Sequence, residues 1–295
     1  MQPKKNTIIN HFNYKIMKNF TRIMVLAFVA LFAFASTSCH KDGVFNPKKK
    51  ISRLFYQSNG GDKSLVATYI WNKNKLDKID YGGGNFTYYT YDGKKVSKIT
   101  TGSSVANFTY DGAKLSKVEV SYEGQLETSV AVTHDGNKIS KLVITEYESD
   151  KDAQNIVHTG LSLRGILPAT ACDNLIEKQI QAKESGRKGT YTYTVEFKYD
   201  GWNIIEERWV ESNDIYAYTY DKCNNPFFGL FGGEGGDYVE YLESKNNIEK
   251  VSNTYDGGYS ESSFQYSYDG KWPTEKRRFY SDNTLGYTYF YEYVK

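Results

Sequence analysis

The chain has 295 residues, 37 basic and 35 acidic side chains, a formal net charge of +2 and 39% hydrophobic residues. A mean hydropathy of −0.62 excludes a bundle of membrane helices, each of which needs about 20 consecutive apolar residues. The 27 Tyr and 25 Gly, beside only 5 Pro, favour many strands joined by tight turns over a helical or disordered chain.

The first predicted element is an export signal over residues 1–38. Residues 23–35 form a run of thirteen small or apolar residues, preceded by Lys18 and Arg22. At 1.5 Å per residue this run is too short to span a bilayer core of about 30 Å, so a permanent membrane helix is excluded on length. The layout is that of a signal peptide, and its compact form starts at Met17.

Cys39 directly follows these small residues, and its position resembles the modified cysteine in the lipobox of bacterial lipoproteins. The lipobox usually has Leu three positions earlier, where this chain has Ser36. The resemblance implies that Cys39 carries acyl chains, which makes membrane lipid the first expected partner. The alternative is ordinary secretory cleavage that leaves Cys39 as a free thiol. Residues 39–50 then form a tether, and one domain spans 51–295.

The basic balance of the chain belongs to the export signal. Residues 1–38 contain five of the 37 basic residues and no acidic one, so the chain from Cys39 onward has 32 basic against 35 acidic residues, a charge of about −3. The sequence pI near 8.1 is therefore no argument for a nucleic-acid partner, and none is expected.

A repeated unit follows the tether. Each copy has aromatic residues at alternate positions, an Asp-Gly or similar turn, and apolar residues four and seven positions after the first turn residue. The clearest copies are 87–99, 108–118 and 132–142, and weaker ones turn at Asn72, Asp200, Asp221, Ser244 and Asp269. Because Asp-Gly supplies the positive φ of tight turns, while Tyr, Thr and Val favour strands, each unit is predicted to be a β-hairpin.

The spacing of the apolar residues does not match a regular strand. Val96 and Ile99, three positions apart, would lie on opposite faces. Either both faces are partly covered, or a β-bulge restores the alternation. Short connections at both ends of the hairpins predict a long antiparallel up-and-down meander of roughly sixteen to eighteen strands.

The interval between the turns at Asp135 and Asp200 contains the best helix signal. Thr170 and Asp173 resemble a capping box, and we expect one short helix near 171–183 that covers a sheet face or plugs an open end. The two remaining cysteines, Cys172 and Cys223, could form a disulfide in an oxidising compartment. The alternative is two separately buried thiols.

Closure into a barrel would remove both edges of such a meander. The lipobox-like start, the tandem Tyr-Asp-Gly-x-Lys units and the segment 220–227, with Asn225-Pro226-Phe227, resemble a family of uncharacterised exported lipoproteins of Gram-negative gut bacteria. That family is described as a domain of unknown function with a porin-like fold. The resemblance implies an all-β, barrel-like antiparallel sheet and supplies no catalytic residues.

The charges inside the predicted strands argue for a water-soluble barrel rather than a membrane pore. The wall of an outer-membrane barrel is apolar outside, and Lys or Arg at its midplane costs about 2–4 kcal/mol. Lysines recur inside the predicted strands at Lys78, Lys98, Lys117, Lys141 and Lys250.

Signals for enzymatic chemistry are weak. We expect no cofactor and no metal, because the histidine and cysteine spacings resemble no zinc site. Glu206/Glu207 and Glu240/Glu243 could in principle form the acid and base pair of a glycan hydrolase, with carboxyls about 5–10 Å apart. The stronger interpretation is that such strand carboxylates form cross-strand ion pairs on a wet face.

Binding is more plausible than catalysis, because aromatic residues on a rigid sheet can stack on sugar rings or anchor a protein. The candidate residues are Trp71, Trp202, Trp209, Trp272, Phe227, Phe228 and Phe231. The alternative is that the tryptophans belong to the core and the loop of 225–231 folds over a sheet end. The sequence thus predicts a lipid-anchored, non-enzymatic outer-membrane protein of the cell envelope that binds glycan or protein, with a glycan hydrolase as the rival.

Overall fold

The structure is a computed structural model that describes residues 49–147, 171, 175–176, 178–180, 189–228 and 244–295. Sixteen strands account for most of them. In chain order they are β1 Ile51–Ser58, β2 Ser64–Asn72, β3 Lys75–Asp80, β4 Phe86–Asp92, β5 Lys95–Thr101, β6 Ser104–Asp111, β7 Lys114–Tyr122, β8 Gln125–Asp135, β9 Lys138–Glu146, β10 Tyr191–Asp200, β11 Asn203–Trp209, β12 Asp214–Asn224, β13 Asn246–Tyr255, β14 Gly258–Asp269, β15 Trp272–Tyr280 and β16 Leu285–Tyr293.

The strands form a closed antiparallel barrel. Each strand pairs with its neighbours in the sequence, and β1 closes the ring by pairing with β16 from Ile51↔Tyr293 to Ser58↔Tyr287. Closure pairs the two strands that would otherwise be exposed edges. The predicted all-β up-and-down meander, its strand number and its barrel form are confirmed.

A β-bulge recurs in every hairpin at one end of the barrel. In β4–β5 the register shifts between Thr90 and Tyr91, and both Val96 and Ile99 are fully buried. The extra residue, Ser97, donates a hydrogen bond across the hairpin to the carbonyl of Thr90 at 3.2 Å. The bulge alternative is therefore the correct one, and it explains why the repeat spaces its apolar residues by three.

The two faces of the barrel wall differ sharply. Buried side chains from every strand except β15 form one apolar and aromatic cluster on the inner face. The outer face carries charged residues at mid-strand, including exposed Lys98, Lys117 and Lys250 and half-buried Lys78 and Lys141. Ion pairs on this face are Arg53–Glu292, Lys117–Glu119, Lys198–Glu206, Lys250–Glu261 and Arg277–Glu275.

The barrel has two distinct ends. One end, which we call the hairpin end, carries the connections from even-numbered to odd-numbered strands, beginning with β2–β3. Residues 49–50 and 294–295 lie at the same end. The opposite end carries the connections from odd to even strands, beginning with β1–β2. One sequence prediction needs correction here: Asp221 and Ser244 do not mark separate hairpins, because Asp221 lies within β12, Ser244 lies just before β13, and these two strands pair with each other.

A helix is present where it was predicted. Residues 171, 175–176 and 178–180 are helical, and Ala171 and Leu175 are buried in the core cluster. Gln179 donates a hydrogen bond to Glu146 at the end of β9, and Lys178 binds Asp214 at the start of β12 at 3.2 Å. The helix therefore packs at the opposite end. Within the described residues no helix is long and apolar enough to cross a membrane.

Candidate functional site

A closed ring of aromatic donors lies at the hairpin end, and we call it the aromatic belt. Each member sits near the end of an even strand and donates a hydrogen bond to a backbone carbonyl of the odd strand before it. The donor and acceptor pairs are Trp71–Ile51, Tyr91–Leu76, Tyr110–Val96, His134–Leu115, Tyr199–Ile139, Tyr220–Ile204, Tyr266–Ile248 and Tyr293–Pro273. Eight such bonds complete the circle.

The belt follows from the bulge. A bulge interrupts the ladder of backbone bonds, and a buried carbonyl without a partner is costly. The Tyr110 hydroxyl meets the Val96 carbonyl at 2.8 Å, beside the bulge of the preceding hairpin. Burial raises the pKa of Tyr91, and in Tyr293 burial together with the charge of Asp269 does the same, so both hydroxyls stay protonated donors.

Lysines lie over the rings of this belt. The Lys75 ammonium is 4.9 Å from the centre of the Tyr91 ring and donates to the Gly93 carbonyl at 2.6 Å. Lys95 repeats the arrangement with Tyr110 and Gly112, and Lys50 lies over Trp71, 5.5 Å from the ring centre. Each lysine thus links one hairpin to the next turn while its charge stays near the surface.

Eight lysines lie at residues 49–50 and at the turns β2–β3, β4–β5, β6–β7 and β8–β9, and we call this set the lysine arc. They are Lys49, Lys50, Lys73, Lys75, Lys94, Lys95, Lys114 and Lys138. The same segments contain three acidic residues, Asp92, Asp111 and Asp135, so the net charge of the arc is +5. The arc covers about half of the hairpin end.

The segment that carries the Asn-Pro-Phe motif forms a polar network at the hairpin end. Asp221 accepts bonds from the backbone of Cys223 at 2.9 Å and from the backbone and side chain of Asn247, each at 3.1 Å. The Tyr268 hydroxyl also donates to this carboxylate. Asn225 donates to the Ser244 carbonyl at 3.0 Å. Because these groups satisfy one another, the network holds the end of β12 against the start of β13 and the end of β14 rather than offering free donors to a ligand.

Cys223 is a free, half-buried thiol in the structure, and its pairing with Cys172 stays a prediction because Cys172 lies outside the described residues. Burial raises its pKa, and the negative charge of Asp221 adds to that rise, so the thiol is a poor nucleophile. Cys39 also lies outside the described residues.

The predicted binding aromatics are less accessible than expected. Trp209 is only 1% exposed and Phe227 only 5%. The prediction that these two side chains are exposed to a ligand is therefore wrong. Trp71 is half-buried in the aromatic belt. The remaining described candidates, Trp202, Trp272 and Phe228, are also half-buried.

Ring contacts account for that partial burial. Trp202 packs edge-on against Phe228 with ring centres 6.4 Å apart, and Trp272 packs against Tyr293 at 6.2 Å. The alternative that these rings serve packing is the better description of their contacts. Phe231 lies outside the described residues.

More exposed aromatic residues lie on the outer wall, where the sequence reasoning did not look. Tyr259 is 60% exposed and Tyr88 is 47% exposed. Phe86 and Tyr88 have ring centres 5.7 Å apart, and the Lys78 ammonium is 4.6 Å from the Phe86 ring centre. The sequence feature that could identify these exposed aromatics is the bulge, since it decides which residues of the repeat face outward.

The candidate carboxylate pair does not converge. Glu206 faces outward and pairs with Lys198 at 2.8 Å, whereas Glu207 is fully buried on the inner face. Glu207 accepts a hydrogen bond from the Trp209 indole at 2.8 Å and is 3.4 Å from the Tyr218 hydroxyl. Neighbouring residues of a strand point to opposite faces, so these two cannot act as an acid and base pair. Glu240 and Glu243 lie outside the described residues.

The inner face becomes polar toward the opposite end. Thr87 and Thr101 share a hydrogen bond of 2.9 Å, and Glu146 accepts from the helix residue Gln179. Lys276 is 3% exposed and lies 4.8 Å from the Phe264 ring centre. Within the described part of the chain, no group of three or more His, Cys, Asp or Glu residues could hold a metal ion.

Comparisons with known proteins give no activity for this chain. No family model matches the chain, and no curated protein matches it. Among solved structures it is similar to a porin-like protein from Bacteroides vulgatus, with 11% sequence identity and a TM-score of 0.35. The match covers 84% of this chain and 99% of the other. The family resemblance drawn from the repeats remains a prediction, and the assignment of a closed barrel rests on this chain's own strand pairing.

Proposed function

We propose that this protein is a lipid-anchored, non-catalytic barrel of the cell envelope, held at the outer membrane through Cys39, which binds or scaffolds an extracytoplasmic glycan or protein. The observation that carries the proposal is the polarity of the wall. Apolar and aromatic side chains fill the inner face, and the outer face carries lysines and ion pairs at mid-strand.

This polarity is the reverse of what a pore in a bilayer needs. Such a pore has an apolar outer band and a polar lumen. Here Lys98 and Lys117 would lie in hydrocarbon, at about 2–4 kcal/mol each, whereas Val96, Ile99 and Leu115 are hidden inside. A wall of this kind belongs in water, so the contacts with a partner fall on the outer wall and on the two ends.

The outer wall has suitable contact groups. Exposed aromatic side chains stack on sugar rings or anchor protein side chains, and neighbouring cations add donors for hydroxyl or carbonyl groups. The cluster of Phe86, Tyr88 and Lys78 combines both. A second cluster has Lys63 at 4.4 Å from the ring centres of both Phe55 and Phe290. These two clusters replace the tryptophans as the first candidates for a binding surface.

Lipidation is tested with the full-length chain in a Gram-negative host. We expect labelled palmitate to be incorporated and the protein to sediment with outer membranes, and we expect Cys39→Ala to lose both. Cys223→Ala is the matched control, since it removes a thiol within the barrel and should keep label and location. Label on the Cys39→Ala variant, or outer-membrane location without label, contradicts the anchor.

Binding is tested with the chain from residue 39 onward carrying Cys39→Ser, on glycan and protein arrays. We expect a ligand whose signal falls with Tyr88→Ala and not with Thr90→Ala, which lies on the same outer face of β4. Release of reducing sugars from a glycan would favour the hydrolase, and ion conductance in planar bilayers would favour a pore. Either result overturns the proposal.

A further inference from the structure

The tether leaves the barrel beside the lysine arc. β1 begins at Ile51 at the hairpin end, and the Ile51 carbonyl is held by the Trp71 indole at 2.8 Å. Lys50 donates to the Asn74 side chain at 3.0 Å, so the chain is fixed against the β2–β3 turn before the strand starts. Only ten residue steps separate Cys39 from Lys49, a reach of at most about 35 Å. Any surface that holds Cys39 is therefore close to this arc.

The charge of the molecule is segregated along the barrel axis. The lysine arc carries +5, although the chain from Cys39 onward is slightly acidic. The seven described connections of the opposite end, counted with the strand residues that flank them, contain one lysine, Lys63, and seven acidic residues, and Lys178 of the helix adds one further lysine at this end. The acidic residues are Asp62, Asp80, Glu123, Glu211, Asp214, Asp256 and Asp282. An anionic surface would attract one end of this barrel and repel the other.

The lysine arc is the basic part of the hairpin end, although Lys245 and Lys271 also lie at this end, in the β12–β13 and β14–β15 connections. The β12–β13 connection contains four acidic residues and no basic one within 229–243. Asp269, in the β14–β15 turn, approaches Lys49 to 3.5 Å. The half of the end that adjoins the tether is thus the basic half.

We propose that the lysine arc docks on the anionic phospholipid headgroups of the membrane that holds the Cys39 anchor, so that the barrel stands on its hairpin end with the opposite end directed away. The orientation rests on the proposed lipid anchor, but the charge contact does not require it. Lysines near an anionic leaflet contribute to binding individually and are screened by salt. Trp71, Trp202 and Trp272 lie at the same end, and such side chains favour the headgroup level.

The charge contact is tested without the anchor, on the chain from residue 39 onward with Cys39→Ser. Sedimentation is measured with vesicles of phosphatidylcholine alone and with vesicles in which about a third of the lipid is phosphatidylglycerol. We expect binding to the anionic vesicles only, lost in high salt. Each lysine brought to such a surface is worth about fivefold in affinity, so the triple variant Lys73→Gln, Lys75→Gln, Lys94→Gln should bind about 100-fold more weakly.

The matched control removes the same charge from the wall, as Lys98→Gln, Lys117→Gln, Lys250→Gln, and should change affinity less than twofold. Circular dichroism melting checks that both variants keep the barrel. A measurement on the unaltered protein gives a second test: brominated phosphatidylglycerol should quench the tryptophan fluorescence. Equal loss in both triple variants, equal binding to both vesicles, or no quenching overturns the docking. If the full-length protein incorporates no palmitate while the Cys39→Ser chain still binds anionic vesicles, the lipid anchor alone is overturned.

Discussion

The hairpin end and the opposite end of the barrel are stabilised in different ways. At the hairpin end one local device is repeated: a bulge exposes a carbonyl, an aromatic donor from the next hairpin meets it, and lysines cover several of the rings. The inner face beside it is apolar, with Leu76, Val96 and Leu115 fully or almost fully buried. At the opposite end the inner face is polar, and a helix from a distant part of the chain packs there.

This difference shows what a repeat can and cannot supply. Each hairpin brings its own donor, acceptor and turn, so the hairpin end closes by copying one unit. The opposite end has Glu146 and Glu207 among its buried groups, and these carboxyls need partners that are not part of the repeated bulge, donor and turn. Gln179 of the helix and Trp209 meet that need. The stability of the hairpin end is therefore a property of the whole ring, whereas that of the opposite end depends on individual residues.

The largest expected effect is at the opposite end. Trp209→Ala should lower the free energy of unfolding by about 3–5 kcal/mol, because it opens a cavity and removes the indole donor of Glu207. Trp202→Ala is the matched control at the hairpin end and should cost clearly less, since Trp202 is half-buried. Urea unfolding followed by circular dichroism measures both. A larger loss from Trp202→Ala would reverse the comparison.

The sequence was sufficient to predict the part of the fold that repeats. Asp-Gly turns such as Asp92-Gly93, with alternating aromatics before them, were enough for the hairpins, and the need to remove two edges led to closure. The bulge was left as one of two alternatives, because periodicity alone does not say whether Val96 and Ile99 share a face. The pairing register resolves this.

The candidate site was harder to predict because it depends on which face each residue takes. Trp209 and Trp202 look alike in the sequence, but the bulge in β10–β11 and the helix decide that the first is core. The sequence does not reveal the aromatic belt, although members such as Tyr91 and Tyr110 belong to the alternating aromatics of the repeat. Its acceptors lie in the preceding unit, so the belt is visible only when the hairpins are placed side by side.

The next effect tests the belt itself. Tyr110→Phe should lower the free energy of unfolding by about 1–2 kcal/mol, because the ring stays in place while the Val96 carbonyl loses its donor. Tyr88→Phe is the control, since its exposed ring lies on the outer wall. It should change stability by less than about 0.5 kcal/mol. Equal values for the two variants would show that the belt hydroxyls do not contribute.

A smaller effect concerns the turns of the hairpin end. Gly93 has φ of +56° in the β4–β5 turn, and Lys73 occupies the same turn position in β2–β3 with φ of 55°. Gly93→Ala should cost about 1 kcal/mol, because an L side chain is strained in this region. Lys73→Gly should have the opposite sign, a gain of up to about 1 kcal/mol. Thermal unfolding of both variants checks the pair, and a loss from both would mean that φ does not decide their effect.

The smallest effect is a pH dependence that separates the two ends. Near the opposite end, Glu261 accepts bonds from Lys250 at 2.7 Å and from the Tyr259 hydroxyl at 2.5 Å, and these hold the pKa of Glu261 below its ordinary value. A carboxyl with a lowered folded-state pKa contributes stability that is present above its unfolded pKa. That contribution is lost as the pH falls through the folded value.

Glu261→Gln should therefore be less stable than the unaltered protein at neutral pH, and the difference should vanish in acid below both pKa values. The belt bond of Tyr110 joins a hydroxyl to a backbone carbonyl and involves no carboxyl, so the deficit of Tyr110→Phe should stay constant between the two conditions. Urea titrations of the three proteins at neutral and acidic pH measure this. If the Tyr110→Phe deficit also faded in acid, or the Glu261→Gln deficit persisted, the two ends would not differ in the charges that stabilise them.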